Sequence, residues 1–277
     1  MNTMTNDEIR AAVREQYGKV AREAAPACAP GCCGGSTPDM SLRLGYSAEE
    51  LAAVPEGANL GLGCGNPQAL AALRPGETVL DLGAGGGFDC FLAAKAVGPR
   101  GRVIGVDMTP DMVSRARANA KKLGVGHVDF RLGEIEHLPV ADETVDVILS
   151  NCVVNLSPDK DAVFREAFRV LAPGGRLAIS DVVLLEPLPE ALAADVTALV
   201  GCAAGAATVD ALRSALTAAG FERVAITVRP ESRSFIRDWI PGSGIERYVA
   251  SASIEATKAG GEDACCGPAC CPPGGAA

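Results

Sequence analysis

A chain of 277 residues, 48% of them apolar, can bury a full core, so one α/β domain with a smaller appended lobe is the expected organisation. The formal net charge of −9, with no clustered Lys/Arg, argues against a nucleic-acid partner, because phosphate neutralisation by basic side chains carries most of that affinity. No apolar run approaches the roughly 20 residues of a membrane span, and the opening MNTMTNDEIR lacks leader character, so a cytoplasmic protein without a membrane partner is expected. Eleven cysteines in a reducing compartment read as ligands, nucleophiles or redox partners rather than as a disulfide framework.

Residues 6–24 carry apolar side chains at Ile9, Val13, Tyr17 and Val20 behind Thr5 and Glu8 at capping-box spacing, which predicts an amphipathic helix. A Pro/Gly/Cys loop, APACAPGCCGGSTPD, follows, then a short helix in SAEELAAVP and the turn-rich EGANLGLGCGNP. From Glu77 the pattern becomes βα alternation. Strands are expected near 78–82, 102–107, 128–132, 145–151 and 175–183, and helices near 88–97, 110–123 and 159–171, which together predict a parallel sheet. Residues 189–257 hold two Ala-rich helices and two strands, RVAITVRP and RYVASASIEA, read as an added lobe plus the last sheet strands. The low-complexity GGEDACCGPACCPPGGAA reads as a tail. The organisation expected is an amino-terminal helical, Cys-rich segment (1–60), a cofactor domain (61–185), a carboxyl-terminal lobe (186–257) and a disordered tail (258–277).

The first chemical motif is VLDLGAGGGFD, an apolar strand running into Asp81, Gly83, Gly85, Gly86 and Gly87 and then into a helix. Glycines there allow a sharp turn and close ligand approach, and the helix start presents unpaired N–H groups. A bare βα turn and a dinucleotide fold compete for the same motif. VIGVD ends the second strand on Asp107, where a carboxylate can accept ribose hydroxyls, with Met108 beside it to pack on a base. LGEIEHLP puts Glu134 and Ile135 after the third strand, at an adenine edge and face. The fourth strand ends in SNCVVNL, and Asn151 is grouped with the cofactor residues. As a set, these motifs with LAPGGRLAISD resemble the class I S-adenosylmethionine-dependent methyltransferases, which implies a Rossmann-like, doubly wound, mostly parallel sheet. Asp81 then suits the positively charged amino-acid end of that cofactor.

Cys152, at the end of the fourth strand, reads in isolation as a small buried hydrophobe. Cys64, between glycines in NLGLGCGNP, and Cys202, in LVGCAAGAA, have small neighbours that leave room around each thiol. Three thiols from three segments can converge over the cofactor. Zinc sites usually use C-x₂₋₄-C pairs, which are lacking here, whereas trivalent arsenic prefers three sulfurs and keeps a lone pair able to attack a sulfonium methyl.

Over roughly residues 10–255 the chain resembles the arsenite S-adenosylmethionine methyltransferases, through NLGLGCGNP, VLDLGAGGGFDCFLAA, VIGVDMTPDMV, SNCVVNLSPDK, FREAFRVLAPGG and GCAAGA. The resemblance implies that Cys64, Cys152 and Cys202 bind arsenic. It also implies that arsenite and methylarsenite are substrates, and that a further amino-terminal cysteine, Cys28, Cys32 or Cys33, forms a transient disulfide later opened by thioredoxin or glutathione. Ala204 stands where that family usually has glycine, and Cys265, Cys266, Cys270 and Cys271 of the tail have no counterpart in the shared core. Alternative readings are a small-molecule C- or O-methyltransferase of the quinone-biosynthesis type, or a non-catalytic thiol metal-binding protein. His127 and His137 read as surface residues, and Trp239 as lobe core.

Overall fold

Unbroken apolar runs bounded by glycine and proline become strands buried on both faces, and the computed structural model describes residues 4–23, 37–193 and 202–260 of this arrangement. Four parallel strands, β1 (Thr78–Leu82), β2 (Arg102–Asp107), β3 (Val128–Leu132) and β4 (Val145–Asn151), lie at the residues expected from the sequence. β5 (Leu171–Leu184) begins earlier than expected, because Leu171 already pairs with Val145 across a register shift. After the two-residue β6 (Ala207–Thr208), β7 (Glu222–Arg229) and β8 (Val249–Thr257) join the same sheet antiparallel, in the order β3-β2-β1-β4-β5-β8-β7, with β6 on β5. The segment read as an added lobe therefore contributes the last strands of the central sheet.

Helices cover both faces. α1 (Asn6–Arg22), α2 (Thr37–Arg43), α3 (Ala48–Ala52) and α4 (Pro67–Ala71) precede the alternating part. α5 (Phe88–Val97), α6 (Pro110–Leu123), α7 (Lys160–Val170), α8 (Glu190–Ala193), α9 (Val209–Ala218) and α10 (Arg233–Ile236) follow. Alternate residues of each strand face opposite layers, as the period of two requires. Val79, Val103, Val147 and Leu149 pack with Phe91, Val97 and Val113 of α5 and α6. Leu80, Ile104, Ile148 and Leu177 pack with Phe164 and Val170 of α7 and Leu216 of α9. A third cluster, containing Cys64, Cys152 and Cys202, caps the carboxyl ends of the strands.

α1 starts at the expected capping box: Thr5 Oγ1 accepts from Glu8 N, and Glu8 Oε2 accepts from Thr5 N at 2.7 Å. The helix lies across the strand ends and is held by side chains along its length. Arg10 Nη2 pairs with buried Glu136 at 3.2 Å, Arg14 with Glu134 at 3.1 Å and Arg22 with Asp111, while Arg115 of α6 donates to Ala21 O. α4 follows the turn-rich stretch as a five-residue helix with Pro67 in its first turn and the Asn66 side chain accepting from Ala69 N. No described helix is long and apolar enough to cross a membrane.

Phe164 is fully buried between α7 and the sheet. Replacing it by Ala should lower the unfolding free energy by about 3–5 kcal/mol without changing the denaturant slope, as read by urea unfolding followed by circular dichroism.

Candidate functional site

The strand order reverses between β1 and β4, each running parallel to its neighbours, and a crevice opens beyond their carboxyl ends. It holds a cavity of about 330 Å³ bordered by the β1–α5 turn, the end of β4, α1 and the segment around Trp239.

One wall is acidic. Asp81, Asp89 and Asp107 all line the cavity. Burial, then the neighbouring charges of Asp89 and Asp107, hold the Asp81 carboxyl well above the usual carboxylate range, even though Cys90 Sγ donates to it at 3.2 Å. Burial pushes Asp89 up to about 6, against hydrogen bonds from Tyr46 Oη at 2.8 Å and Asn151 Nδ2 at 3.4 Å. Asp107 is also raised by burial, while Gly85 N and Thr109 N donate to its two oxygens at 2.9 and 2.8 Å and so close the glycine turn. Buried Asp81 and Asp89 and half-buried Asp107, none ion-paired with a Lys or Arg among the described residues, form a receptacle for a cation. The glycines make room for it. Gly83 and Gly85 have φ of 72° and 50°, and a Cβ on Gly83 would strike Val153.

Met108, Ile135, Gly83 and Gly85 border the cavity together with Asn151. Two expected cofactor residues do not. Glu134 lies off the cavity lining with its carboxylate facing Arg14 at 3.1 Å and Arg10 at 3.5 Å, because α1 docks over the third strand's end and supplies the cations. Gly87 sits behind the turn, where a Cβ would meet Phe91 and Phe130 at 2.8 Å, so its smallness serves packing.

The opposite wall carries sulfur. Cys152 follows β4, its N–H donating to Ser180 O of β5 at 2.8 Å, and Cys202 Sγ donates to Cys152 O at 2.8 Å. Both thiol residues line the cavity and both have left-handed backbone, φ 57° and 65°. A residue with a Cβ is strained there, by about 1–3 kcal/mol, and such strain survives where the surroundings over-determine it. Cys64 stands on the Gly63–Gly65 turn and forms a disulfide with Cys152 across 88 residues of sequence, with Cα atoms 5.8 Å apart. The three cysteines expected to converge thus meet in one cluster, two of them covalently joined and Cys202 a buried thiol whose pKa burial and Asp181 push well up. The expected redox partners Cys28, Cys32 and Cys33, and the tail cysteines Cys265, Cys266, Cys270 and Cys271, lie outside the described residues.

Several residues at the site went unnamed in the sequence. Asp181 is buried, lies within 4.8 Å of the Cys64 and Cys152 sulfurs, and is pushed up to about 6 by burial. Its oxygens accept from Val182 N, Asn155 N and Asn155 Nδ2, which fixes the turn after Cys152. Lys160 donates to Ser157 O beside it. Asn155 also receives the Cys202 loop: a Cβ on Gly205 would lie 2.1 Å from Asn155 O, so the close approach falls on Gly205 and leaves Ala204 unconstrained by it. Trp239 borders the cavity while it packs against the third apolar cluster, beside Phe235. Signals existed for Asp89, inside the quoted GGFD, and for Asp181, ending LAISD, but each needs the fold to show which cavity it faces.

Residues 73–220 match the methyltransferase domain family. The chain is 54% identical over 267 residues to an arsenite methyltransferase of Halobacterium salinarum, covering 93% of this chain and 68% of that one. It is 41% identical to an arsenite methyltransferase of Aquipseudomonas alcaligenes over 70% of this chain and 56% of that one, so it spans little more than half of that relative. Among solved structures it resembles an arsenic(III) S-adenosylmethionine methyltransferase from Chlamydomonas reinhardtii, with TM-score 0.59 and 33% identity over 81% of this chain and 75% of that one. The doubly wound sheet with its antiparallel end, the glycine turn at the switch point and these relatives together make the chain a class I methyltransferase that belongs to the arsenite methyltransferase family.

Proposed function

We propose that the chain transfers the methyl group of S-adenosylmethionine to trivalent arsenic, arsenite and then methylarsenite, held by Cys64, Cys152 and Cys202. The observation that carries this reading is the meeting of three cysteines from three distant segments in one cluster, with Cys152 and Cys202 bordering the same cavity as Asp81, Asp89 and Asp107. The buried Asp81 and Asp89 and the half-buried Asp107, with no ion pair to Lys or Arg among the described residues, fit a ligand bearing a sulfonium and an ammonium, and the glycine turn fits its close approach. Bound S-adenosylmethionine supplies an electrophilic methyl.

The chain's own residues do the rest by position. Each thiol that condenses with arsenite gives an As–S bond and releases water, so the raised pKa of Cys202 is no obstacle to loading. No general base is needed, because the nucleophile is the arsenic lone pair. Holding arsenic between Cys152 and Cys202 on one side of the cavity replaces an encounter in solution with a fixed approach, an effect of up to roughly 7–11 kcal/mol in ideal cases. Apolar Leu156, Val13 and Met40 around the site exclude water.

Methyl transfer raises arsenic formally by two electrons. Two As–S bonds can then break as their sulfurs join in a disulfide, which returns arsenic to the trivalent state. The Cys64–Cys152 disulfide supports that pair as one source of the electrons, and Cys28, Cys32 or Cys33 remains the amino-terminal redox partner proposed from the sequence. A thiol reductant, glutathione or thioredoxin in a reducing cytoplasm, would reopen it by thiol–disulfide exchange and leave as its own disulfide.

Incubation with arsenite, S-adenosylmethionine and a thiol reductant, followed by chromatography of arsenic species, should give methylated product, and Cys202→Ser or Cys152→Ser should lower the rate by at least about 10²-fold while leaving S-adenosylhomocysteine binding intact. An unchanged rate in both variants sinks the proposal and favours a methyltransferase acting on an organic substrate. Because Asp89, at about 6, is a carboxyl raised by burial, a cationic ligand draws it toward its ionised form. S-adenosylmethionine binding near pH 6 should therefore release protons and tighten from about pH 5 to about pH 7, as read by calorimetry in buffers of different ionisation enthalpy.

A further inference from the structure

We propose that Asn151 is the positioning residue of the thiol pair: its side-chain amide clamps the Gly63–Gly65 turn to the end of β4 and thereby sets Cys64 beside Cys152. The role of that pair in turnover rests on the arsenic reading above; the pairing itself does not.

The Gly63–Gly65 turn belongs to no strand, so its backbone groups need other partners. Asn151 supplies them. Its Oδ1 accepts from Cys64 N at 3.0 Å, and its Nδ2 donates to Gly65 O at 2.9 Å. These two bonds bracket Cys64 from either side. The remaining reach of Nδ2 goes to Tyr46 Oη at 3.0 Å and Asp89 Oδ2 at 3.4 Å. A primary amide carries two N–H donors, and three protein acceptors already share them, so the donors of Asn151 are committed to the protein. Asn151 thus brackets the turn while it borders the cavity.

The fit is tight on the turn's side as well. A Cβ on Gly63 would sit 2.9 Å from both ends of the Asn151 amide, at a backbone φ of 129° that favours glycine. Asn151 directly precedes Cys152, so one short stretch of β4 carries one sulfur and holds the loop that carries the other. Two thiols 88 residues apart thereby gain the high mutual concentration that intramolecular reaction requires.

The test is the equilibrium of the reduced protein with glutathione disulfide. Cys64 and Cys152 give up two protons and two electrons to form one S–S bond, and glutathione disulfide is reduced to two thiols. Alkylation and peptide mass spectrometry read the ratio. In Asn151→Ala, and in Gly63→Ala, which attacks the same contact from the turn, the equilibrium constant for the Cys64–Cys152 bond should fall by about tenfold or more, while the far-ultraviolet circular dichroism of the reduced protein stays unchanged. In the reduced, unsubstituted protein the Cys64 amide should exchange with deuterium at least about tenfold more slowly than a free peptide amide, a measurement that needs no variant to fold. An unprotected Cys64 amide, or an unchanged thiol equilibrium in both variants, overturns the proposal. Retained Asn151-dependent pairing in a protein that yields no methylated arsenic would overturn the arsenic reading and leave this one standing.

Discussion

Everything at this site depends on how β4 ends. Parallel strands place their carboxyl ends together, and the departure of β4 from the sheet at Asn151–Cys152 is where the glycine turn of Cys64, the loop of Cys202 and β5 all meet. Hydrogen bonds converge there from three segments: Ser180 O and Asp181 of β5 take the Cys152 amide and the amides that follow, Cys202 donates to the Cys152 carbonyl, and the Cys64 turn pairs with Asn151. Buried polar groups that are each satisfied fix one arrangement, because any shift leaves a group unpaired in low dielectric. The sheet thus acts as the frame against which sulfur atoms from distant segments are registered.

The cavity brings carboxyl groups and sulfur together. Asp81, Asp89 and Asp107 gather at the β1–α5 turn, where burial raises each of them. Cys64, Cys152 and Cys202 gather under an apolar cover, with the Asp181 carboxyl among them. Asn151 and Tyr46 stand on the boundary, since Tyr46 Oη donates to Asp89 while accepting from the amide that holds the Cys64 turn. α1 closes both halves at once through Arg10 and Arg14, whose ion pairs to Glu134 and Glu136 tether it over the strand ends.

Much of this was legible in the sequence because strands β1–β4 are short apolar runs with glycine at their ends, and period and punctuation determine such elements locally. The Thr5–Glu8 cap was legible for the same reason. Glu134 was not: its distance from the third strand suggested a base contact, but the docking of α1 decides which cations it meets, and docking is a tertiary outcome. The Asn151 network was equally hidden, since Tyr46 and Asn151 are separated by 105 residues and no spacing rule connects them. α4 is not legible because its five residues, from Pro67 to the residue before a left-handed Ala72, carry too little pattern to register as helix.

The left-handed backbone at Cys152 and Cys202 sets stability against chemistry within single residues. Glycine is the residue that such a conformation favours, so a population selected only for heat tolerance would drift toward glycine at both positions and lose its sulfur as it grew hardier. The sulfur at each position thus stands against the preference of its own backbone, and the hydrogen bonds around Cys152 and Cys202 keep it there.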